Sequence, residues 1–378
     1  MELFKLAVKE DRLHPLFKRV VSSGVYKPAI DVINSWSTGM LGRKKESKKF
    51  IQEFQLSFNS SLWEIYLNKA FTDFGFSIDY SKESPDFNLH HSSGRVVNVE
   101  AVTSNNKDNL KPEYYLNESF SSAATQSNDG FLDESTIKLA GKLKDKRDLF
   151  TGINNKKHPY HTLDHVKGNP FVIAVAPFDN HLSFSQNNMA INRVLYGINP
   201  PAPMGNGQKI SHILNRNDQR VELGIFTNPN YKEVSAVIFS TTGMFGKAVV
   251  QAGLNNLVRA TRYRQIDVDE FMEKEGRDML GTTHKKIKPG HDVFSIRFLS
   301  GNFVCGSDTY LYPSSEHKES HLDGLHIYYN PYASIPLDKD LFSAYEVTQN
   351  DFDVNTQERI FNHNDGSLVS RQTFTSFT

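Results

Sequence analysis

The sequence contains a single cysteine, Cys305, among its 378 residues. One thiol cannot form an intramolecular disulfide, and it cannot supply the several cysteine ligands of a structural zinc site. A lone cysteine is typical of proteins that work in a reducing compartment. We therefore expect a protein whose stability comes from its apolar core and not from covalent links.

Long apolar runs and an excess of charge of one sign are also missing. No stretch approaches the roughly 20 apolar residues that cross a bilayer, and the beginning, MELFKLAVKEDRLHP, lacks the continuous apolar segment of a signal peptide. Lys plus Arg and Asp plus Glu each number 43. We therefore expect a cytoplasmic protein without membrane contact, in which any binding of nucleic acid depends on local patches.

Internal repeats and phosphate-binding loops are absent too. The segment GMFGK at 243–247 has glycines and a lysine, but it lacks the four-residue spacing and the following Ser or Thr of a P-loop, which excludes an NTP site of that type. The chain is long enough for more than one domain. We predict an N-terminal helical cap over 1–50, an α/β domain over 51–250 and an aromatic-rich α+β region over 251–378.

The order of periodic segments indicates the fold class. Residues 51–76 have apolar positions three and four apart, as in a helix, and 134–150 repeat this pattern. The run PFVIAVAPF is typical of a central strand that is covered on both faces, and further helical and strand patterns follow it. Helix, hairpin, helix, strand, helix and strand together predict an α/β fold with a mixed central sheet flanked by helices.

The most informative stretch is SPDFNLHHSSGRVVNVEAVT, residues 84–103. Asp86 stands at the head of one β-like run and Glu100 lies in the next, while HSSGR supplies the Gly and Ser of a hairpin turn. The hairpin would bring the two carboxylates to neighbouring strand ends. Oxygen ligands on adjacent strands are suited to a hard cation such as Mg²⁺.

This stretch resembles the signature of the PD-(D/E)XK nuclease superfamily, a Pro-Asp on one strand and an acidic-x-Lys on the next. Asp86 matches the aspartate and Glu100 the second acidic residue, whereas Val102 stands in the position of the lysine. The resemblance implies a restriction-endonuclease-like core and Mg²⁺-dependent, or Mn²⁺-dependent, hydrolysis of DNA. By analogy with free-standing bacterial nucleases, it also implies a role in defence against foreign DNA, as a homodimer or with a partner protein.

The resemblance also indicates where the rest of the site would lie. In some members of the superfamily a neighbouring helix carries the catalytic lysine, and Lys138, Lys142 and Lys146 lie four residues apart on the predicted helix after the hairpin. The helix before the Pro-Asp strand often adds an acidic ligand, and Glu64 lies where that residue would fall. The three lysines are candidate catalytic residues, and Glu64 is a candidate metal ligand beside the hairpin carboxylates.

The run from Phe58 to Lys247 is also similar to a group of uncharacterised bacterial proteins with the same order of motifs. These motifs are a Trp-Glu helix, Pro-Asp-Phe and Val-Glu-Ala strands, a lysine-bearing helix, HVKGNPFVIAVAPF and RVLYG. The similarity covers about half of the chain. It supports the predicted architecture and implies no activity.

A basic run before the first long helix is a candidate contact for nucleic-acid phosphates. Clustered lysine and arginine next to a nuclease core would bind the backbone without reading sequence. A small N-terminal cap followed by a solvated helix start is the simpler explanation of the same run. The residues are Arg43, Lys44, Lys45, Lys48 and Lys49.

Two alternatives stay open at this point. Because Val102 replaces the motif lysine, the chain could be a nuclease-fold protein without catalysis that binds nucleic acid or takes part in an assembly. Alternatively, the spacing of His158, His161 and His165 could hold a transition metal in a hydrolase of another class, although no helical periodicity would pre-organise them. A polar stretch over 105–133 would form a long loop able to close over a substrate.

Overall fold

The structure is a computed structural model of the chain. It describes residues 2–42, 46–105, 128–153, 158–178, 186–199, 208–254, 256–276, 278 and 280–374. The α-helices of these residues are α1 Pro15–Ser22, α2 Lys27–Trp36, α3 Ser47–Leu56, α4 Phe58–Asp73, α5 Asn128–Thr151, α6 Met189–Tyr196, α7 Phe245–Gln251 and α8 Val268–Lys274.

The strands of the described residues run through the whole second half of the chain as well as the predicted hairpin. In chain order they are β1 Ser77–Ile78, β2 Phe87–His90, β3 Val96–Asn105, β4 Phe171–Phe178, β5 His212–Leu214, β6 Arg220–Glu222, β7 Ala236–Ser240, β8 Leu257–Asp267, β9 Gly281–Lys288, β10 His291–Ser300, β11 Phe303–Pro313, β12 Leu325–Tyr329, β13 Thr348–Asp353, β14 Glu358–Asn362 and β15 Leu368–Phe374.

The largest sheet has the strand order β1-β2-β3-β4-β7-β12-β13-β14. Strands β1 to β3 are antiparallel, and β3, β4 and β7 are parallel to one another. Strand β12 is antiparallel to β7 and parallel to β13, which pairs with β14 in the antiparallel sense. The predicted mixed α/β fold with a large mixed sheet flanked by helices is therefore confirmed.

Two apolar layers cover this sheet. The core on one side joins the N-terminal helices, α4 and α7 to the inward residues of the sheet, among them Val97 and Val99. The core on the other side joins α5 and α6 to Ile173, Val175 and Phe239. All side chains of β4 are buried, as expected for a central strand that helices cover on both faces.

A second, antiparallel sheet has the order β15-β8-β11-β10-β9, and β5 pairs with β6 in a small hairpin. The domain boundaries at 50 and 250 remain predictions. The large sheet itself continues beyond the second boundary, because β12, β13 and β14 all come from the region after 251 and pair onward from β7. Among the described residues, no helix is both long and apolar enough to cross a membrane.

Several local predictions are confirmed, and two boundaries differ. The hairpin forms with Phe87 opposite Val99 and Leu89 opposite Val97. The long helical pattern over 51–76 is interrupted at Ser57, where the backbone leaves the helical region and separates α3 from α4. Helix α5 starts earlier than the predicted 134, since the polar residues before it continue the same helix.

A buried cluster of charges lies between the two sheets. Lys247 on α7 contacts Glu319 at 2.7 Å, and Arg371 on β15 contacts the other oxygen of Glu319 at 2.8 Å, with all three side chains 0% exposed. His317 bonds the same carboxylate at 2.8 Å. Burial would raise the pKa of Glu319, but Arg371 and Lys247 outweigh it and hold that pKa well below its ordinary value.

Replacing Glu319 by Ala should lower the free energy of unfolding by about 3–5 kcal/mol, because it leaves two buried cations without their shared carboxylate. Urea denaturation of the two proteins measures the change. The control is Glu270→Ala, which removes an exposed carboxylate paired with Lys274 four residues on and should cost less than about 1 kcal/mol. Equal losses for the two variants would contradict a stabilising role of the cluster.

Candidate active site

The hairpin of β2 and β3 positions the two motif carboxylates. Asp86 precedes β2 directly, and its Oδ2 accepts a hydrogen bond of 2.8 Å from the backbone N–H of Ala101 on β3. Glu100 is the residue before Ala101, so the bond fixes Asp86 beside the strand position that carries the second carboxylate. The local sequence therefore brings Asp86 and Glu100 together, as predicted.

Glu100 is buried and has its counter-charge on the helix layer. Its residue is 3% exposed, and its Oε1 lies 2.7 Å from the Nζ of Lys146 on α5. Its Oε2 is buried and has no hydrogen-bond partner among the described residues. A buried carboxylate with one oxygen paired and the other unpaired is costly unless a further cation or donor reaches it.

The periodicity of α5 explains how Lys146 reaches the sheet. Leu139 and Leu143 are buried against the sheet, and Lys142 and Lys146 follow each of them by three residues. Lys146 is 22% exposed at its side chain and contacts Glu100, whereas Lys138 pairs with Glu134 at 3.1 Å. Lys138 lies about 12 Å from Lys146 along the helix axis, too far to serve the same carboxylate.

The pKa of Lys146 is set by burial and by the three candidate carboxylates. Burial alone would lower the pKa of Lys146, but the carboxylates of Glu100, Asp86 and Glu64 oppose it, and together they raise the pKa above its ordinary value of 10.5. Lys146 is therefore an ammonium at neutral pH. Its charge faces all three acidic residues that the sequence indicated.

Tyr160 also belongs to the site, although no sequence pattern indicated it. Its Oη donates to Oε1 of Glu100 at 3.4 Å. Burial, and after it the charges of Glu100 and Asp86, raise the pKa of Tyr160 well above its ordinary value. The hydroxyl therefore remains protonated at neutral pH. It donates a hydrogen bond to Oε1 of Glu100, the oxygen that Lys146 also contacts.

Glu64 on α4 lines two small clefts. One has a volume of about 210 Å³ and is lined by Ser60, Trp63, Glu64, Ala101, Val102, Thr103 and Lys146. Ser60 and Thr103 share a hydrogen bond of 2.6 Å on its wall. This cleft brings hydroxyls and the Lys146 ammonium together, a suitable lining for the oxygens of a phosphate group.

The other cleft, of about 150 Å³, is strongly acidic. It is lined by Met40, Glu46, Ser47, Lys49, Phe50, Glu53, Glu64, Glu83 and Asp86. Lys49, its single cation among the described residues, lies 3.7 Å from Glu53. Five carboxylates around one lysine repel phosphate, so this cleft is not suited to the nucleic-acid backbone.

The remaining predicted lysines are distributed differently. Lys142 makes no ion pair within the described residues. Lys48 is exposed and lines a separate cleft beside the N-terminal segment, whereas Lys49 lines the acidic cleft. Arg43, Lys44 and Lys45 lie outside the described residues. The basic arm therefore remains a prediction.

The histidine-rich loop does not form a metal site. His161 bonds the carbonyl of Phe150 at 2.7 Å, and His165 bonds the carbonyl of Ser84 at 2.8 Å. In the part of the chain that the structure describes, no three His, Cys, Asp or Glu side chains group closely enough to hold a metal ion by themselves. The predicted metal site of His158, His161 and His165 is therefore not formed, since these three histidines are not grouped closely enough to hold an ion in the part of the chain that the structure describes.

The fold and the site together define a mixed α/β protein with two hairpin carboxylates and a helix-borne lysine on one side of its central sheet. No protein-family model, curated protein or solved structure matches the chain. The chemistry of the site has to be inferred from its own residues.

Replacing Glu100 by Gln should lower the pKa of Lys146, because desolvation would then be opposed by two carboxylates instead of three. NMR titration of the Lys146 side chain measures the change.

Since the folded-state pKa of Lys146 lies above 10.5, the ion pair stabilises the fold fully below pH 10.5. This stabilisation is lost as the pH rises through the folded-state pKa. Glu134→Gln, which removes the partner of Lys138, is the control and should leave the pKa of Lys146 unchanged. The same pKa of Lys146 in both variants would contradict the assignment of Glu100 as its counter-charge.

Proposed function

We propose that this chain is a Mg²⁺-dependent nuclease that hydrolyses phosphodiester bonds of DNA at the site of Asp86, Glu100 and Lys146. The ion pair of Lys146 with Glu100 carries the proposal. It brings an ammonium to the motif carboxylates although Val102 occupies the lysine position of the motif. A restriction-endonuclease-like core is part of the same proposal, and the order of helix α4, the hairpin, helix α5 and strand β4 supports it.

The residues of the site fit a hard divalent cation. Mg²⁺ keeps several waters and needs only one or two carboxylates from the protein, so it does not require a group of three ligands, which the described residues lack. The unpaired, buried Oε2 of Glu100 is the oxygen that would ligate, with Asp86 beside it and Glu64 as an outer ligand. A bound Mg²⁺ supplies charge neutralisation at the phosphate and a lowered pKa for a coordinated water.

The protein's own groups then have distinct tasks. The Lys146 ammonium stabilises the negative charge that develops on the phosphate oxygens and orients the attacking water. Tyr160 and Lys146 both hold Oε1 of Glu100, which fixes the direction of Oε2. The backbone N–H of Ala101 holds Asp86 in place. Three interactions from three different segments thereby pre-organise the two carboxylates.

Asp86→Asn, Glu100→Gln and Lys146→Met should each reduce Mg²⁺-dependent cleavage of DNA by about 100-fold or more, as the loss of one pre-organised electrostatic group does in other hydrolases. Initial rates on end-labelled single-stranded and duplex DNA, with Mg²⁺ or Mn²⁺, measure the effect. Circular dichroism and thermal melting establish that each variant is folded.

Lys138→Met is the matched control for Lys146→Met. It makes the same substitution two turns away on the same helix, at a lysine whose contact is Glu134 and not Glu100, and it should retain most of the cleavage rate. If Lys138→Met loses as much activity as Lys146→Met, the assignment of Lys146 fails. Undiminished cleavage in all three site variants would exclude the site altogether.

Mg²⁺ should also raise the melting temperature of the unaltered protein, because a ligand that binds only the folded state stabilises it by about 2.7 kcal/mol at a hundred times its Kd. Asp86→Asn should weaken the concentration dependence of this rise. Differential scanning calorimetry over a Mg²⁺ series tests both statements, and Glu270→Ala, which removes an exposed carboxylate paired with Lys274 on α8, is the control. An equal Mg²⁺ response in Asp86→Asn would show that the cation binds elsewhere.

A nuclease-fold protein without catalysis is the second candidate. The ion pair itself favours it, since Lys146 neutralises the buried Glu100 without any metal. This candidate predicts neither a Mg²⁺-dependent rise in melting temperature nor cleavage, while DNA is still bound. The two measurements above therefore separate the candidates.

A further inference from the structure

The carboxylate of Asp86 lies just outside the regular pairing of its hairpin. Pairing of β2 with β3 begins at Phe87 opposite Val99, and the three residues before it, 84–86, form a bend. A residue beyond the end of a ladder is not aligned by cross-strand backbone hydrogen bonds. Contacts other than strand pairing therefore set the direction of Asp86, among them the bond from the Ala101 N–H.

His165 holds the backbone two residues before Asp86. Its Nε2 lies 2.8 Å from the carbonyl oxygen of Ser84. A carbonyl oxygen can only accept a hydrogen bond, so Nε2 carries a proton and donates it. The donor belongs to the segment of residues 158–170, which precedes β4 and comes from a part of the chain 81 residues away from Ser84.

A stiff linkage transmits the bond at Ser84 to Asp86. The Ser84 carbonyl shares one planar peptide unit with the nitrogen of Pro85, and the proline ring fixes the next φ angle. Only the ψ angle of Pro85 and the φ angle of Asp86 remain soft between the held carbonyl and the Cβ of Asp86. Holding the Ser84 oxygen therefore restricts the directions in which the carboxylate can point.

His165 is itself fixed against the same hairpin. Its backbone carbonyl accepts hydrogen bonds from the side-chain amides of Asn98 on β3, at 3.3 Å, and of Asn169, at 3.2 Å. Asn98 is 0% exposed, and its Oδ1 accepts from Asn88 of β2 at 2.9 Å. These two asparagines are opposite each other in the strand register. The imidazole is therefore held from β3 while it holds the Ser84 carbonyl.

We propose that His165 is a positioning residue for Asp86, whose carboxylate it holds beside the Glu100–Lys146 ion pair through the Ser84 carbonyl. Outer hydrogen bonds of this kind orient the ligands of metal sites, and their loss typically costs about 10- to 100-fold in metal affinity or activity. The catalytic consequence rests on the proposed nuclease function. The placement of Asp86 does not, since the Ala101 N–H reports it without metal or cleavage.

His165→Leu and His165→Gln separate the hydrogen bond from the bulk of the side chain. Leucine fills similar space without a donor, whereas the amide of glutamine offers an N–H near the position of Nε2. Hydrogen exchange of the Ala101 amide, followed by NMR in EDTA, measures the effect because this N–H donates to Asp86. His165→Leu should accelerate that exchange about tenfold, the equivalent of one hydrogen bond. His165→Gln should restore the unaltered rate.

His161→Leu is the matched control. It removes the same kind of bond from the same segment, an imidazole on a backbone carbonyl, but the acceptor is Phe150 near the end of α5. Exchange at Ala101 should stay unchanged in this variant, and equal acceleration in His161→Leu would overturn the proposal. The amides of β4 should exchange as slowly in His165→Leu as in the unaltered chain. Acceleration there as well would mean a general loosening of the fold and would also overturn it.

Asp86→Ala shows whether His165 acts through Asp86. It removes the acceptor of the Ala101 N–H, so it should itself accelerate the exchange. His165→Leu added to Asp86→Ala should then change the exchange rate of Ala101 no further. Additional acceleration in the double variant would contradict the proposal, as would an unchanged rate in His165→Leu alone.

Mg²⁺ binding separates this proposal from the nuclease proposal. In His165→Leu, the Mg²⁺ concentration that gives half of the rise in melting temperature should increase by about 10-fold or more, whereas His165→Gln should respond as the unaltered chain does. If the unaltered chain neither binds Mg²⁺ nor cleaves DNA, the nuclease proposal fails, and exchange at Ala101 still decides the role of His165. If it does both, an unchanged Mg²⁺ response in His165→Leu would exclude that role.

Discussion

A carboxylate buried on a central strand requires a positive charge close to it, and the Glu100–Lys146 ion pair meets this requirement. Because β3 is covered on both faces, the charge can come only from a layer above the sheet, and α5 supplies it. The docking of α5 through Leu139 and Leu143 then decides which of its lysines arrives. The apolar contacts of α5 therefore determine which positive charge reaches Glu100.

A second group of buried charges has a structural task. Lys247 comes from α7 beside the large sheet and Arg371 from β15 of the smaller one, and both meet Glu319 without solvent. Neither cation could remain there alone. The shared carboxylate thus links the two sheets. Because Lys247 is buried and paired with Glu319, its ammonium is not available to bind a phosphate group, which agrees with the absence of a P-loop at 243–247.

Local features of the sequence predicted half of the site. Alternation and a Gly-Ser turn were sufficient for the hairpin that carries Asp86 and Glu100, because these depend on neighbouring residues. The choice among three lysines spaced by four could not be made, since helical periodicity puts all of them on one face and only tertiary docking selects Lys146. Tyr160 gave no signal, because it lies in a loop without periodicity. Strand β12 joins β7 across about 90 residues, and such long-range pairing leaves no local pattern.

Val102 keeps β3 apolar where the resembled motif carries a lysine, and the ammonium instead comes from the helix layer, from Lys146 of α5. Lys142 precedes Lys146 by four residues, close to one helical turn. A displacement of α5 along its axis by about 5–6 Å would bring Lys142 to the place where Lys146 now stands, as helices do in one-turn register shifts. The four-residue spacing therefore repeats a lysine at the helical interval, and a helix offers several positions for a cation where a single strand position offers one.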